Sequence, residues 1–322
     1  DQPSIELGPT DADIIWLYDL RAGVGVYPHD SQHVSALLDG DCLYLNTGNG
    51  VDNTHLKVRA PEAPCLIALD KKTGRLVARD NEGIGPRIFH CTWSPPSLGE
   101  VGGRRMVFFG GPDGVCYAFS ALPKQLPETA QPLERVWCFD CDPTAPKENV
   151  SNWSKNTREG PSEIMGMPVF HKDRIYLTVG GDIWWGKYMA WLKCIDATKT
   201  GDVTGTAALW FYPLERYSVA TPAIVNGLVF VTDGKGKLHC VDADTGEAYW
   251  THDVGNSIWG SALAAEGRIY VGARDGNFMI FAADKTKNLL FTTKFDGEIN
   301  GTPTAANGVL YVPTLNRLYA IK

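Results

Sequence analysis

Imidazole titrates near neutral pH and, when neutral, ligates Zn²⁺, Cu²⁺ and Fe²⁺. This chain of 322 residues has seven histidines, and His29, His33, His55 and His90 all fall in its first third. If His29, His33 and His90 converge, they can hold a metal ion or serve as acid and base groups. The plainer alternative is three hydrogen-bonded turn histidines. His29 and His33 stand four apart, but their surroundings read as the start of a strand, so helical ligand spacing does not apply. A second set is aromatic. Trp184, Trp185, Tyr188 and Trp191 crowd into one segment. Exposed, such rings suit stacking on a sugar or anchoring a protein partner; folded over, they make a lid. His171, His239 and His252 read as turn or outer-strand residues without a role. No Gly-x-Ser-x-Gly elbow and no glycine-rich phosphate loop ahead of a helix occurs. Cys138 and Cys141 form a single C-x-x-C on a strand with no second pair, which argues for buried cysteines over zinc or redox use. The Asp242 to Gly246 turn lacks a full Ca²⁺ ligand loop and reads as hairpin chemistry.

The elements that must position these residues come from a repeat. Ser218 to Val231, Ser257 to Val271 and Glu298 to Val312 share one pattern, with Thr221, Ser261 and Thr302 in register at steps of 40 and 41 residues. Short strands and turns at that period are the signature of a propeller blade. In the clearest copy, Thr221 to Val225, Leu228 to Thr232, Leu238 to Asp242 and a strand around Trp250 are separated by Asn226-Gly227, Asp233-Gly234 and Thr245-Gly246 turns. Trp137, Trp210 and Trp250 recur near the repeat ends, with Phe291 and Ala78 in the same column. Each large ring is expected to plug the gap between blades, contributing roughly 3 kcal/mol.

The expected fold is an all-β propeller, one domain over residues 1–322. Its blades run over about 31–80, 90–141, 163–213, 217–253, 257–295 and 298–322. The last copy lacks a fourth strand. Residues 13–20, with Trp16 in the aromatic column, are expected to supply it and close a ring of six four-stranded blades. The alternative is six blades of an eight-bladed ring whose N-terminal part is missing.

The segment Leu-His-Cys-Val-Asp-Ala-Asp-Thr-Gly-Glu-Ala-Tyr-Trp at 238–250 resembles the repeat of pyrroloquinoline-quinone (PQQ)-type propellers. That superfamily includes quinoprotein alcohol dehydrogenases and the outer-membrane assembly lipoprotein of the same fold. The resemblance covers nearly the whole chain and implies fold more than function, because enzymes and scaffolds share the repeat. Residues 10–16 and 88–95 look more like an uncharacterised bacterial branch typical of planctomycete-type genomes. Quinoprotein dehydrogenases add a vicinal cysteine pair against the quinone, a stacked Trp and Ca²⁺ ligands. This chain has no adjacent cysteines.

Strand order places the insertions. Residues 48–64 and 180–191 link second to third strands; residues 81–91 and 142–163 link one blade to the next. All four decorate one face, where binding is usually built. Only 121–134 decorates the other. At the inner end of each blade on that face stand His33, Trp93, Met165, Val219, Trp259 and Asn300, reaching either the channel mouth or the space between blades. Val34, Ser94, Gly166, Ala220, Gly260 and Gly301 follow them, small as crowding near an axis requires. Expected funnel-mouth residues are His29, His33, His90, Trp93, Glu163, Arg216, Tyr217, Trp259, Glu298 and Asn300.

The formal net charge of −7, without a basic cluster, argues against nucleic acid. No apolar run approaches the ~18 residues of a membrane span. Two readings follow for a periplasmic or extracellular protein. One is a binding or scaffolding propeller that holds a protein, glycan or small ligand on its decorated face, with no redox cofactor. The other is an oxidoreductase or lyase with a transition metal, or PQQ with Ca²⁺, in the funnel.

Overall fold

Alternating β-branched and aromatic residues between glycine turns cannot bury a face singly, so they pair into small antiparallel sheets. The computed structural model describes Gly8, residues 14–29 and residues 35–322. Six sheets follow one another along the described chain. The fourth shows the plan: Ala223–Val225, Leu228–Thr232, Lys237–Asp242 and Ala248–Asp253, each antiparallel to the next. A bulge between Cys240 and Val241 bends the third strand against the fourth. The third sheet (Val169–His171 to Ala208–Leu214) and the fifth (Leu263–Ala265 to Leu289–Lys294) repeat it.

Two sheets carry an addition that strand periodicity does not announce. Gln131–Pro132 pairs parallel to Leu76–Arg79 of the first sheet, and Gly201–Asp202 pairs parallel to Arg135–Asp140 of the second. In each case a segment from one repeat extends the sheet of the repeat before it.

The repeated residues join neighbouring sheets. Met167 N–H donates to Thr221 Oγ1, Thr221 N–H to Ser261 Oγ, and Ser261 N–H to Thr302 Oγ1. The hydroxyl column is thus a hydrogen-bonded belt on the inner side. Further out, the aromatic column does the same. The indole N–H of Trp137 donates to Ala197 O, that of Trp210 to Ala243 O, and that of Trp250 to Asp284 O. Gly246 makes room: a Cβ there would lie 2.7 Å from the Trp210 ring. Phe291, the aromatic of the fifth sheet, is 51% exposed.

The N-terminal segment departs from expectation. Residues 14–19 form no strand, and Leu20–Val24 is a short helix capped by Asp19. The last sheet has three strands, Thr304–Ala306, Val309–Pro313 and Leu318–Ile321, and no described strand pairs beyond the third. Trp16 instead anchors to the first sheet. Its indole N–H donates to Lys71 O, and it fills the space a Cβ of Gly74 would need. This is the contact Trp210 makes on Gly246, so Trp16 holds its place in the aromatic column without completing the sixth sheet.

His239 also differs from expectation, being buried on the third strand of the fourth sheet. It lies between the Tyr212 hydroxyl (3.1 Å) and the Asp233 carboxylate (3.0 Å). Burial opposes ionisation of Asp233, but the His239 ring and the N–H groups of Lys235 and Lys237 outweigh it and hold the carboxyl below its usual pKa. A carboxyl that titrates lower folded than unfolded stabilises the fold above the unfolded value, near pH 4. That stabilisation is lost as pH falls through the folded value. Asp233→Asn is expected to flatten the acid limb of a stability profile below about pH 4. Urea midpoints measured against pH check this; parallel profiles for the two proteins would refute it.

Candidate functional site

The four insertions of the decorated face touch one another. Lys155 N–H donates to Trp185 O, and Tyr188 N–H to Thr157 O. The Lys187 ammonium, buried, pairs with Asp142 at 2.6 Å, and Ser162 donates to the same carboxylate oxygen at 2.7 Å. Loop 180–191 is thereby pinned to link 142–163.

Loop 48–64 meets link 81–91 at Gly50, which bridges to Cys91, while Val51 N–H donates to His90 O and Gly50 N–H to Tyr27 O. A Cβ on Gly50 would lie 2.6 Å from His29 Cβ, 2.8 Å from His90 O and 2.9 Å from Cys91 Cβ. Only glycine allows those segments to approach so closely. His29 and His90 thus flank the same backbone segment. The chain then turns back through a Val51–Val58 bridge, and His55 at its tip adopts a left-handed backbone, φ 57°. Ring centroids are 4.7 Å apart for His29 and His55, 4.9 Å for His29 and His90, and 5.1 Å for His55 and His90. The three ligand-capable nitrogens lie within 4.8 Å of one another.

His90 is held from behind. Its Nδ1 lies 2.8 Å from Asp182 Oδ2, and the other Asp182 oxygen accepts the N–H groups of Trp184 and Trp185. Its backbone N–H donates to Glu163 Oε1. Glu163 is buried, and burial, together with the nearby Asp182 charge, pushes its carboxyl well above the usual pKa against the opposing His90 hydrogen bond. Trp185 packs on His55 at 5.3 Å.

Trp184 connects this cluster to a second feature. Its ring lies 5.3 Å from His90, 5.7 Å from Trp93 and 6.0 Å from Trp259. Trp93, Met165, Ile183, Trp184, Trp259 and Asn300 are among the residues lining a cavity of about 530 Å³. Val219 and Thr221 are also part of the wall. Of the inner-end column, Trp93, Met165, Val219, Trp259 and Asn300 therefore turn to the funnel. The residues that follow are crowded: a Cβ on Gly166 would lie 2.3 Å from Ala220 O, and one on Gly260 would lie 2.8 Å from Gly301 O. Trp259 Nε1 and Asn300 Oδ1 are buried without a hydrogen-bond partner.

The other expected site residues are not on the cavity wall among the described residues, though Tyr217 packs with Met165 and Ile183 behind it. His33 lies outside the described residues. Arg216 stacks on Tyr188 at 4.3 Å, and Tyr217 is buried against Gly234. Glu298 pairs with Arg274, whose guanidinium covers the Trp259 ring at 4.1 Å. Trp191 is not on the loop but within the strand Ala190–Asp196, packed on the core between the second and third sheets. Cys138 and Cys141 pack in different hydrophobic clusters, and burial pushes the Cys141 thiol up to about 12. Among the described residues no disulfide forms. His55 was not among the ligands expected from the sequence; its left-handed turn carried no recognisable signal. Asp182 gave none either, since a lone carboxylate next to a Trp pair has no spacing signature.

A family model described as outer membrane protein assembly factor BamB matches residues 188–287. Over 152 residues, 40% of this chain, the sequence is 25% identical to quinohemoprotein alcohol dehydrogenase of Comamonas testosteroni, matching 21% of that protein. Over 108 residues, 33% of the chain, it is 29% identical to the assembly factor BamB of Nitrosomonas eutropha, matching 26% of it. Among solved structures, BamB from Moraxella catarrhalis aligns with TM-score 0.57 and 16% identity over 88% of this chain and 67% of that one. The chain is a propeller of PQQ-like repeats. The quinohemoprotein alcohol dehydrogenase ADHIIG of Pseudomonas putida HK5 aligns with TM-score 0.51 and 15% identity, over 84% of this chain and 43% of that one. These structural likenesses show the fold.

The funnel of this PQQ-like propeller does not fit the quinone. PQQ is a planar tricarboxylate whose Ca²⁺ partner takes six to eight oxygen ligands. Among the described residues the cavity wall carries no charged side chain, and its polar side chains are Thr221, Asn300 and indole N–H groups. Arg274, which covers the Trp259 ring, is neutralised by Glu298, and Glu298 also accepts from Asn300 Nδ2. Among the described residues no helix is long and apolar enough to cross a membrane.

Proposed function

We propose that this chain is an extracytoplasmic binding propeller that takes a small, largely apolar ligand in the funnel of its decorated face. One observation carries the reading: an indole-lined cavity of about 530 Å³ whose wall includes Trp259 and Asn300, each with a buried polar atom lacking a partner. Ligand sites are commonly concave and apolar, with a few polar groups that fix orientation. A flat ring able to accept from Trp259 Nε1 and donate to Asn300 Oδ1 satisfies both groups. Trp184 is 52% exposed while also lining the cavity, so it stands at the mouth as a stacking platform. The periplasm or cell exterior is the proposed location, on the similarity to outer membrane assembly factors.

The test is to block the funnel. Val219→Trp adds an indole to the cavity wall. Small aromatic and hydroxylated ring compounds are screened against the native protein by thermal shift and confirmed by calorimetry. Confirmed binders are expected to lose at least about tenfold in affinity in Val219→Trp, the equivalent of about 1.4 kcal/mol. Binders that keep their affinity in that variant would place the site elsewhere.

A second reading rests on the match of residues 188–287 to the BamB model. On it, the exposed Trp184 and Tyr188 anchor a protein partner. Trp184→Ala with Tyr188→Ala then abolishes partner binding, whereas Val219→Trp leaves it intact.

A further inference from the structure

We propose that His29, His55 and His90 form a centre for one first-row divalent transition metal, with Asp182 as the residue that orients His90. The proposal does not depend on the funnel ligand. Its first support is convergence. Three imidazoles from three separate segments bring their ligand-capable nitrogens within 4.8 Å of one another, with His29 and His90 buried and His55 half-buried. Three nitrogens about one ion, at metal–nitrogen distances near 2.1 Å, stand about 3.4 Å apart in a tetrahedral arrangement. His55 sits on a hairpin tip between exposed neighbours and can close that difference. His29 and His90 rest on paired backbone around Gly50.

The second support is orientation. A ligating histidine is ordinarily fixed by a carboxylate or carbonyl on its other ring nitrogen, which selects the tautomer. Asp182 meets His90 Nδ1 at 2.8 Å, so Nε2 is the nitrogen His90 turns to the ion. Asp182 is itself fixed by the N–H groups of Trp184 and Trp185. The third support is local backbone cost. A non-glycine residue at φ 57° is uncommon, and His55 adopts that conformation where its ring joins the other two. Gly50 removes the one Cβ that would hold His29 and His90 apart.

The donor set selects the ion class. Neutral imidazoles suit Zn²⁺, Cu²⁺, Ni²⁺ and Fe²⁺, whereas Ca²⁺ and Mg²⁺ require oxygen ligands. Three protein ligands leave at least one position for water or another small ligand, the coordination pattern of catalytic zinc sites. The buried Asp182 side chain stands behind His90 at hydrogen-bond distance, which favours a cation in front of the ring.

Chelator-treated full-length protein is titrated with Zn²⁺ alone against a competing chromophoric chelator, and separately with Co²⁺ in the visible range. One equivalent of Zn²⁺ is expected, with a Co²⁺ spectrum of nitrogen coordination. His55→Ala is expected to weaken Zn²⁺ at least about 100-fold, and Asp182→Asn about 10- to 100-fold, the loss that follows when a ligating imidazole loses the carboxylate that orients it. His252→Ala, remote from the cluster, is expected to bind as the native protein does. His55→Ala alters a half-buried loop residue, and its circular dichroism and melting curve confirm that it is folded. Substoichiometric Zn²⁺, or a folded His55→Ala variant that binds like the native protein, would overturn the proposal. A failed funnel reading shows only in Val219→Trp and leaves the Zn²⁺ titration unchanged.

Discussion

Trp137→Ala is expected to lower stability by about 3–5 kcal/mol, the range for deleting a fully buried large aromatic from a packed core. Trp137 has no exposed surface and packs with Phe108 and Phe139 of its own sheet and with Ile195 and Ala197 of the next. The substitution therefore empties the junction between two sheets rather than the interior of one. It also leaves the Ala197 carbonyl without the indole N–H that reaches it at 3.2 Å. Trp137→Phe keeps most of the volume and loses that bond, so it is expected to cost less, about 1–2 kcal/mol. Urea denaturation of both variants, followed by circular dichroism, checks the pair. If Trp137→Ala cost under about 1 kcal/mol, the aromatic column would be a decoration of the repeat and not its inter-sheet lock.

The second large effect is expected at Lys187→Met, about 3–5 kcal/mol of destabilisation. Lys187 and Asp142 are both about 95% buried as side chains, and their 2.6 Å contact joins loop 180–191 to link 142–163. Burial opposes the Asp142 charge, but Lys187, Thr144 and Ser162 together hold its carboxyl below the usual range. Removing Lys187 leaves that carboxylate desolvated with hydroxyl partners alone. Because an unpaired buried charge does the damage, adding Asp142→Asn to Lys187→Met is expected to recover at least half the loss. Thermal melts of the single and double variants read the stability. Amide exchange across 181–189 reads where the structure loosens. A Lys187→Met protein as stable as the native one, or a double variant worse than the single, would contradict this account. Lys187 lies on the same loop as Asp182 and Trp184, so loss of the pin is also expected to disturb the wall shared by the histidine cluster and the funnel.

Much of this was legible in the residues. The 40- and 41-residue steps of Thr221, Ser261 and Thr302 fixed a blade-like period, and the glycine turns between them located the strands. Those features are local: alternation, turn chemistry and period act over a few residues, so they can be read along the chain. The strand expected over 13–20 was not a local matter. Its apolar pattern suits a strand, but pairing depends on where Leu318–Ile321 ends up, and only the folded chain shows Trp16 seated on Gly74 with the last sheet left at three strands. The short parallel additions at Gln131–Pro132 and Gly201–Asp202 escaped for the same reason. Two residues are too few for periodicity to register.

The site divides in the same way. From the sequence alone, His29 and His90 are expected at the mouth of the first two blades and the long insertions on one face, because strand order alone sets which end each loop leaves from. The sequence left open whether Trp93, Met165, Val219, Trp259 and Asn300 turn to the funnel or pack between blades. The tertiary structure placed all five on the cavity wall, while the positions that follow are so crowded that Gly166 and Gly260 have no room for a Cβ. It also brought His55 and Asp182 to His90, from 35 residues before it and 92 residues after it. No pattern along the chain encodes that meeting. It results from three loops stacking on one another, and from a glycine at position 50 that lets them come close enough to do so.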